Sequence, residues 1–231
     1  VLDKSVYNRI SAGEVVERPA SVVKELVENS IDAKATNIKI RITNGGVDKI
    51  EVFDNGCGIE KEDLKTALLP HATSKISTKN DLDNISTLGF RGEALPSIAS
   101  VSELEITSRK KNADIGYTIS SFNGETSEVE EVNSNEGTFI TVSNLFYNVP
   151  ARRKFLKTTK GEESEVSDIV LRLILANPEI AFDYIVDGKE VYKTFGDGVV
   201  DGILSCYGNE FFNNSFKISS YIHGIKIEGY I

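Results

Sequence analysis

Glu25, Asn29 and Asp54 are the residues whose types and spacing point to chemistry. Residues 23–33 read VKELVENSIDA and residues 54–59 read DNGCGI. Glu25 and Asn29 stand four apart in a helix-forming run, so their side chains leave one face, whereas Glu28 beside Asn29 points elsewhere. A carboxylate placed on a helix can activate water, and an amide oxygen is a hard donor suited to magnesium. A carboxylate beside a glycine-rich turn can accept a hydrogen bond from an exocyclic amino group such as adenine's. Those are three parts of an ATP site. HATSKI at 71–76 and LGFRGEAL at 88–95 add candidate phosphate contacts. Each motif alone is ordinary: E-x-x-x-N is what a solvated helix face carries, and D-N-G is a common turn. Their weight comes from their company.

The elements that must position these residues follow from hydrophobic spacing. Val22, Val23, Leu26, Val27 and Ile31 recur at helical intervals after Pro19, a residue suited to a helix start. Ile38, Ile40 and Ile42 alternate with polar residues, and Ile50, Val52 and Phe53 follow the turn Asn44-Gly45-Gly46, which predicts a hairpin running straight into Asp54. Glycines after Asp54 permit positive φ and let backbone approach a ligand. Gly89 to Gly92 opens an apolar helical run at Leu95, Ile98, Ala99 and Val101, so free N–H groups and the helix dipole favour an anion there. Residues 70–87 read as a long polar loop, a length that suggests a functional lid. Neither a Walker A loop nor a G-x-G-x-x-G fingerprint occurs.

Further strands are predicted at 104–108, 117–122, 128–132, 138–142, 181–186 and 190–195. Helices are predicted at 151–157 and at 163–176, the latter closed by Asn177-Pro178. Gly124 marks another hairpin. Hairpin strands with separated helices give an α+β class, a mixed and mostly antiparallel sheet with helices on one face. Residues 199–207 and 216–231 read as a helix and two strands of a second domain, giving a division at 1–195 and 196–231.

Taken in order, the stretches SAGEVVERP at 11–19, VKELVENSIDA, DNGCGI, HATSKI, LGFRGEAL and FYNVPARRKFL at 146–156 resemble the N-terminal ATPase region of the MutL family. These are the mismatch-repair members of the GHKL superfamily, which also holds gyrase B, histidine kinases and a heat-shock chaperone. The resemblance covers residues 5–195 and continues more weakly beyond. It implies a GHKL (Bergerat) sandwich followed by the truncated start of a ribosomal-protein-like second domain, and a magnesium-dependent ATPase. By resemblance, Glu25 is the general base, Asn29 the magnesium ligand and Asp54 the adenine-recognising carboxylate. Gly58 and Thr138 line the base pocket. Thr73, Ser74 and Lys75 contact phosphate near the lid, and the backbone of Gly89, Phe90, Arg91 and Gly92 cradles the phosphates. The implied chemistry is in-line attack of water on the γ-phosphate.

The resemblance further implies ATP-driven closure with formation of a homodimer or a MutL-type heterodimer, to which residues 1–8 contribute. In the complete protein it implies work with DNA and a MutS-like mismatch sensor. It places the protein in a bacterial cytoplasm or a eukaryotic nucleus. Pro70 stands where the family carries a charged or polar residue and restricts the lid entrance. The family's γ-phosphate-sensing lysine comes from the second domain and is expected beyond Ile231, so nucleotide binding is expected to survive better than hydrolysis. No initiator Met is present and the last residues run through a strand pattern, as expected of a truncated chain. Two other readings stand beside this one: a topoisomerase subunit, which FYNVPARRKFL argues against, and a module that holds nucleotide with little turnover, which Glu25 argues against.

Composition fits a soluble globular chain, with 40% hydrophobic and 26% charged residues. No apolar run is long enough to span a bilayer. The net charge of −9 argues against a uniform DNA-binding face, although Arg152, Arg153, Lys154, Lys157 and Lys160 form a local basic run after Pro150. Cys57 and Cys206 lie far apart without C-x-x-C spacing, and His71 and His223 form no triad, which disfavours zinc and points to reduced thiols.

Overall fold

Alternation in the strands builds the core. The computed structural model describes residues 15–70, 72, 88, 89 and 92–231. Its nine-stranded sheet contains β1 (Asn37–Thr43), β2 (Lys49–Asp54), β3 (Glu103–Arg109), β4 (Gly116–Phe122), β5 (Glu125–Thr126), β6 (Glu130–Val132), β7 (Gly137–Ser143), β8 (Ala181–Val186) and β9 (Lys189–Lys193). The order is β5-β4-β3-β7-β2-β1-β8-β9, with β6 beside β4. Every described pairing is antiparallel except β1 with β8, which run parallel.

Register turns these alternations into rows. Tyr184, Ile40, Val52, Ile140, Ile106 and Ile119 lie side by side across six strands, all buried. A second row carries Val186, Ile42, Ile50, Val142 and Leu104. Helices cover this face. Helix α1 (Pro19–Asp32) buries Val22, Val23, Leu26 and Val27, with Pro19 at its first turn. Between α2 (Lys61–Ala67) and the sheet, Leu64 is the buried anchor. Helix α3 (Ala94–Val101) contributes Ile98, Ala99 and Val101. After α4 (Pro150–Phe155), the long helix α5 (Thr159–Ala176) contributes Val166, Val170 and Ile174 and packs on α1. These residues form one hydrophobic core. The opposite face of the central strands carries Lys39, Arg41, Glu51 and Thr141, so the sheet is covered by helices on one side. The α+β sandwich expected from the sequence is the fold.

Helix α6 (Val199–Asn213) lies against α5 and β9, and β10 (Lys217–Ile222) pairs with β11 (Ile225–Tyr230) in a separate two-stranded sheet. Several elements differ from the sequence expectation. Helix α5 begins at Thr159, because the Thr158 hydroxyl accepts the Gly161 N–H and caps it. Helix α2 has one buried apolar residue and so offers no periodicity to read. Helix α6 runs to Asn213 across a break at Gly208, whose φ of 79° and ψ of 173° are not helical. The strand expected at 190–195 is Lys189–Lys193, and the two-residue β5 after Gly124 was not expected. Most of the polar loop at 70–87 lies outside the described residues.

Candidate functional site

The next row of the sheet is where the buried face changes character. One alternation step from the apolar row of Ile40 and Val52, the neighbours read Phe182, Ile38, Asp54, Thr138, Ser108 and Tyr117. Three adjacent strands therefore place a carboxylate and two hydroxyls where their alternation dictates an inward side chain. Asp54, Thr138 and Ser108 are all buried. Such groups need partners, because an unmade hydrogen bond there is costly.

The partners are present. Asp54 Oδ1 accepts the Gly56 N–H at 2.8 Å, and Oδ2 lies 2.8 Å from the Ser30 hydroxyl. Ser30 Oγ also stands 3.2 Å from the Leu26 carbonyl, so the shorter contact to the carboxylate takes its proton. Burial pushes the Asp54 carboxyl above its ordinary range, while the Gly56 N–H, the Ser30 hydroxyl and the Thr138 backbone pull it down. Ser108 donates to the Gly137 carbonyl at 2.9 Å and accepts the Ile59 N–H at 2.8 Å. Its only proton is thus used, and Thr138, 3.0 Å away, donates to it.

The turn after β2 is tied to the end of α1. Asn55 Oδ1 accepts the N–H groups of Thr36 and Asn37, each at 2.9 Å, and the Cys57 N–H donates to the Ala33 carbonyl at 3.0 Å. Gly58 has φ +72°, and a Cβ there would stand 2.4 Å from the Arg109 carbonyl oxygen. Only glycine fits that approach.

Helix α1 carries the remaining groups. Its buried stripe ends in Ser30, while Glu25 and Asn29 are half-buried on the neighbouring face. Lys24 Nζ lies 2.8 Å from Glu28 and 3.7 Å from Glu25. Burial alone would lower the Lys24 ammonium, but its bonds to Glu28 and Glu25 raise it. Ser30 is next to Asn29, so one rigid helix fixes the metal-ligand candidate relative to the Asp54 carboxylate. Before α3, Gly92 has φ +62°, and a Cβ there would stand 2.2 Å from the Ala72 carbonyl oxygen. Gly92, five residues past the expected lid at 70–87, thus packs on the backbone of Ala72 near the lid's start.

Of the residues expected from sequence, Asp54 and Thr138 face each other in register, and Gly58 adjoins them through Ile59 and Ser108. Glu25 and Asn29 share a face of α1, and Gly89 and Gly92 precede α3. Thr73, Ser74, Lys75, Phe90 and Arg91 lie outside the described residues. Ser30, Ser108 and Asp32 were not singled out by the sequence reading. The first two had a signal, a hydroxyl at a position whose periodicity faces the core. The arrangement can hold a planar, amino-bearing group against Asp54 and present Asn29 and Glu25 to whatever extends from it. Among the described residues, no cluster of three or more His, Cys, Asp or Glu side chains could cage a metal.

The basic run is partly neutralised. Arg153 and Lys154 are exposed on α4, but Lys157 pairs with Glu165, which also lies 3.8 Å from Arg18. Among the described residues no helix is long and apolar enough to cross a membrane.

Comparison with known proteins identifies relatives. The profile of the histidine kinase-, DNA gyrase B- and HSP90-like ATPase family matches residues 17–143. A DNA mismatch repair protein MutL of Clostridium beijerinckii is 51% identical over the whole chain, and that of Clostridium acetobutylicum is 50% identical. The chain spans 35% of the first and 37% of the second, about a third of such relatives. Among solved structures, the Aquifex aeolicus MutL ATPase domain complexed with ADP is 30% identical with a TM-score of 0.70, covering 89% of this chain and 73% of that one. The N-terminal domain of a DNA repair protein is 27% identical with a TM-score of 0.80, covering 96% and 70%.

Proposed function

The chain belongs to the histidine kinase-, DNA gyrase B- and HSP90-like ATPase family, as a MutL-type ATPase region, and we propose from that premise that it binds ATP in the Asp54 pocket and hydrolyses it. The observation that carries this reading is the buried Asp54 carboxylate, fixed by Ser30 from the same helix that presents Glu25 and Asn29. Asp54 accepts the exocyclic amino group of adenine. Thr138 and Gly58 wall the base, and its glycine turn is too close to Arg109 to admit a side chain.

The donor set fits magnesium. Asn29 supplies one hard oxygen, and magnesium is commonly held by one or two protein oxygens with water and nucleotide phosphates rather than by a protein cage. When bound, the ion supplies charge neutralisation on the phosphates. Glu25, on the same face of α1 as Asn29, orients water and takes its proton as the water attacks in line. Gly89 and Gly92 belong to the loop that approaches the phosphates, a role in which Phe90 and Arg91, together with Thr73, Ser74 and Lys75, take part by family resemblance.

In the complete protein, ATP binding drives closure and pairing with a second MutL-type subunit, coupled to DNA and a MutS-like mismatch sensor. The clostridial relatives support a bacterial cytoplasm. Residues 196–231 begin a second domain, a division supported by the separate β10–β11 sheet. The nucleotide reading is tested by thermal unfolding with magnesium and a non-hydrolysable ATP analogue, for wild type, Asn29→Ala and Asp54→Ala. At one hundred times its dissociation constant the ligand stabilises by about 2.7 kcal/mol. Stabilisation of wild type that both substitutions abolish supports the site; equal stabilisation of all three proteins refutes it.

A further inference from the structure

We propose that Asp32 is a positioning residue for nucleotide phosphate, holding the start of the glycine-rich loop at a set place against the helix that carries Glu25 and Asn29. Asp32 is the last residue of α1 and is half-buried. Its Oδ1 accepts the Leu88 N–H at 3.0 Å and its Oδ2 accepts the Gly89 N–H at 3.2 Å. Two successive amides, more than fifty residues away in sequence, are thus gripped by the two oxygens of one carboxylate.

The position is an unusual one for an acid. A helix C-terminus carries partial negative charge and disfavours a carboxylate. The last turn of α1 contains no basic residue to offset this. The two loop amides answer that charge with charge-assisted hydrogen bonds. Asp32 therefore stands where helix stability alone would select against it, which points to a role in holding the loop.

Helical geometry gives the grip its consequence. Asp32 follows Asn29 by three residues and Glu25 by seven, so all three lie along one stripe of α1 within about 60° of arc and about 10 Å of axis. The candidate base, the candidate metal ligand and the loop anchor are rigidly related by a single helix. At its far side the loop is held again, where Gly92 packs on the Ala72 backbone. With the amides of residues 88 and 89 committed to Asp32, the start of the loop has a preset backbone. A loop start so placed need not be ordered when phosphate binds, and preorganisation of this kind strengthens binding. Asp54 is anchored separately, through Ser30 and Gly56, so base recognition does not pass through Asp32.

This inference rests on the nucleotide-site reading, and the two can fail separately. Asp32→Asn is nearly isosteric but sets an amide N–H2 against one of the two loop N–H groups. Affinity is measured for a magnesium–ATP analogue by calorimetry and for adenosine by NMR titration, in wild type, Asp32→Asn and Asp32→Glu. The expected result is at least a tenfold loss of analogue affinity in Asp32→Asn, with adenosine affinity within twofold of wild type. Asp32→Glu, which keeps two acceptor oxygens on a longer arm, recovers part of the loss. An analogue-to-adenosine ratio equal to wild type in Asp32→Asn overturns the positioning role, whether both affinities hold or both fall together. Wild type that binds neither compound overturns the nucleotide reading itself and the inference with it.

Discussion

Replacing Asp54 by Asn separates recognition from stability, because the pocket holds the carboxylate by groups that an amide also satisfies. In Asp54→Asn the side-chain oxygen keeps the Gly56 N–H, 2.8 Å away in the native chain. The new amide nitrogen replaces Oδ2 and donates to Ser30 Oγ, whose proton turns to the Leu26 carbonyl at 3.2 Å. The bonds to Gly56 and Ser30 are both kept. The carboxyl it replaces has a folded pKa raised by burial, so its contribution to stability is fully present below the unfolded value and is lost as pH rises through the folded one. At pH 7 the ionised native side chain is therefore a burden, and the variant is at least as stable as wild type, with an advantage that fades towards about pH 4. Binding responds in the opposite direction. If Asp54 takes the amino group of adenine as proposed, the amide offers that donor a poorer acceptor than the carboxylate. Loss of a hydrogen bond to a charged acceptor costs about 1.5–3 kcal/mol, or about 10- to 150-fold in Kd. Calorimetric titration with ADP, beside thermal unfolding at pH 7 and pH 4, reads both quantities. A variant that binds ADP as wild type does, or that loses stability and affinity together, refutes the assignment of Asp54 to the base.

Three other substitutions probe separate parts of the site. Glu25→Ala is expected to keep nucleotide affinity within a few-fold while turnover falls by about 10²–10⁴, the usual contribution of a general base; a matched fall in binding and rate in a phosphate-release assay contradicts that role. Ser30→Ala leaves Asp54 Oδ2 without its hydroxyl partner, so stability drops by about 1–3 kcal/mol at pH 7. Since that hydroxyl lowers the Asp54 pKa, the loss shrinks as pH falls, and denaturant titrations showing an equal loss at pH 7 and pH 4 count against the bond. Gly58→Ala forces a Cβ to within 2.4 Å of the Arg109 oxygen at positive φ. It is expected to cost at least about 1–3 kcal/mol from backbone strain and to weaken ADP and adenosine alike, whereas unchanged melting and titration curves show that the turn has room.

What could be read along the chain was whatever a single element decides. Alternation at Ile38, Ile40 and Ile42 and helical spacing from Val22 to Val27 each specify a buried face, and both strand and helix lie where expected. Glu25 and Asn29 needed only the helical repeat. What could not be read depends on which elements meet. Ser108 matters because β3 pairs with β7 in the register that sets it against Thr138, and no local pattern near Glu103–Arg109 carries that register. Asp32 has backbone amides for partners, and backbone has no sequence signature, so a carboxylate at a helix end looks like solvated surface. Helix α2 rests on Leu64 alone, too little for periodicity.

Ser30 falls between these cases. It continues the apolar stripe of Val23, Leu26 and Val27, so its face was decided by the same repeat that places Glu25 and Asn29. A hydroxyl there can bond back to its own helix, as the Leu26 carbonyl permits, and that local option makes it look structural. The deciding fact is that Asp54 occupies an inward position of its strand, at the end where the row of Val52 and Ile40 gives way. An inward carboxylate must find a donor from the layer packed on it, because burial without one is too costly. Helix α1 supplies that layer, and along its buried stripe the only side chain that can donate is Ser30. Two local periodicities and one satisfaction requirement are enough to pair residues twenty-four apart, with no knowledge of the sheet's order.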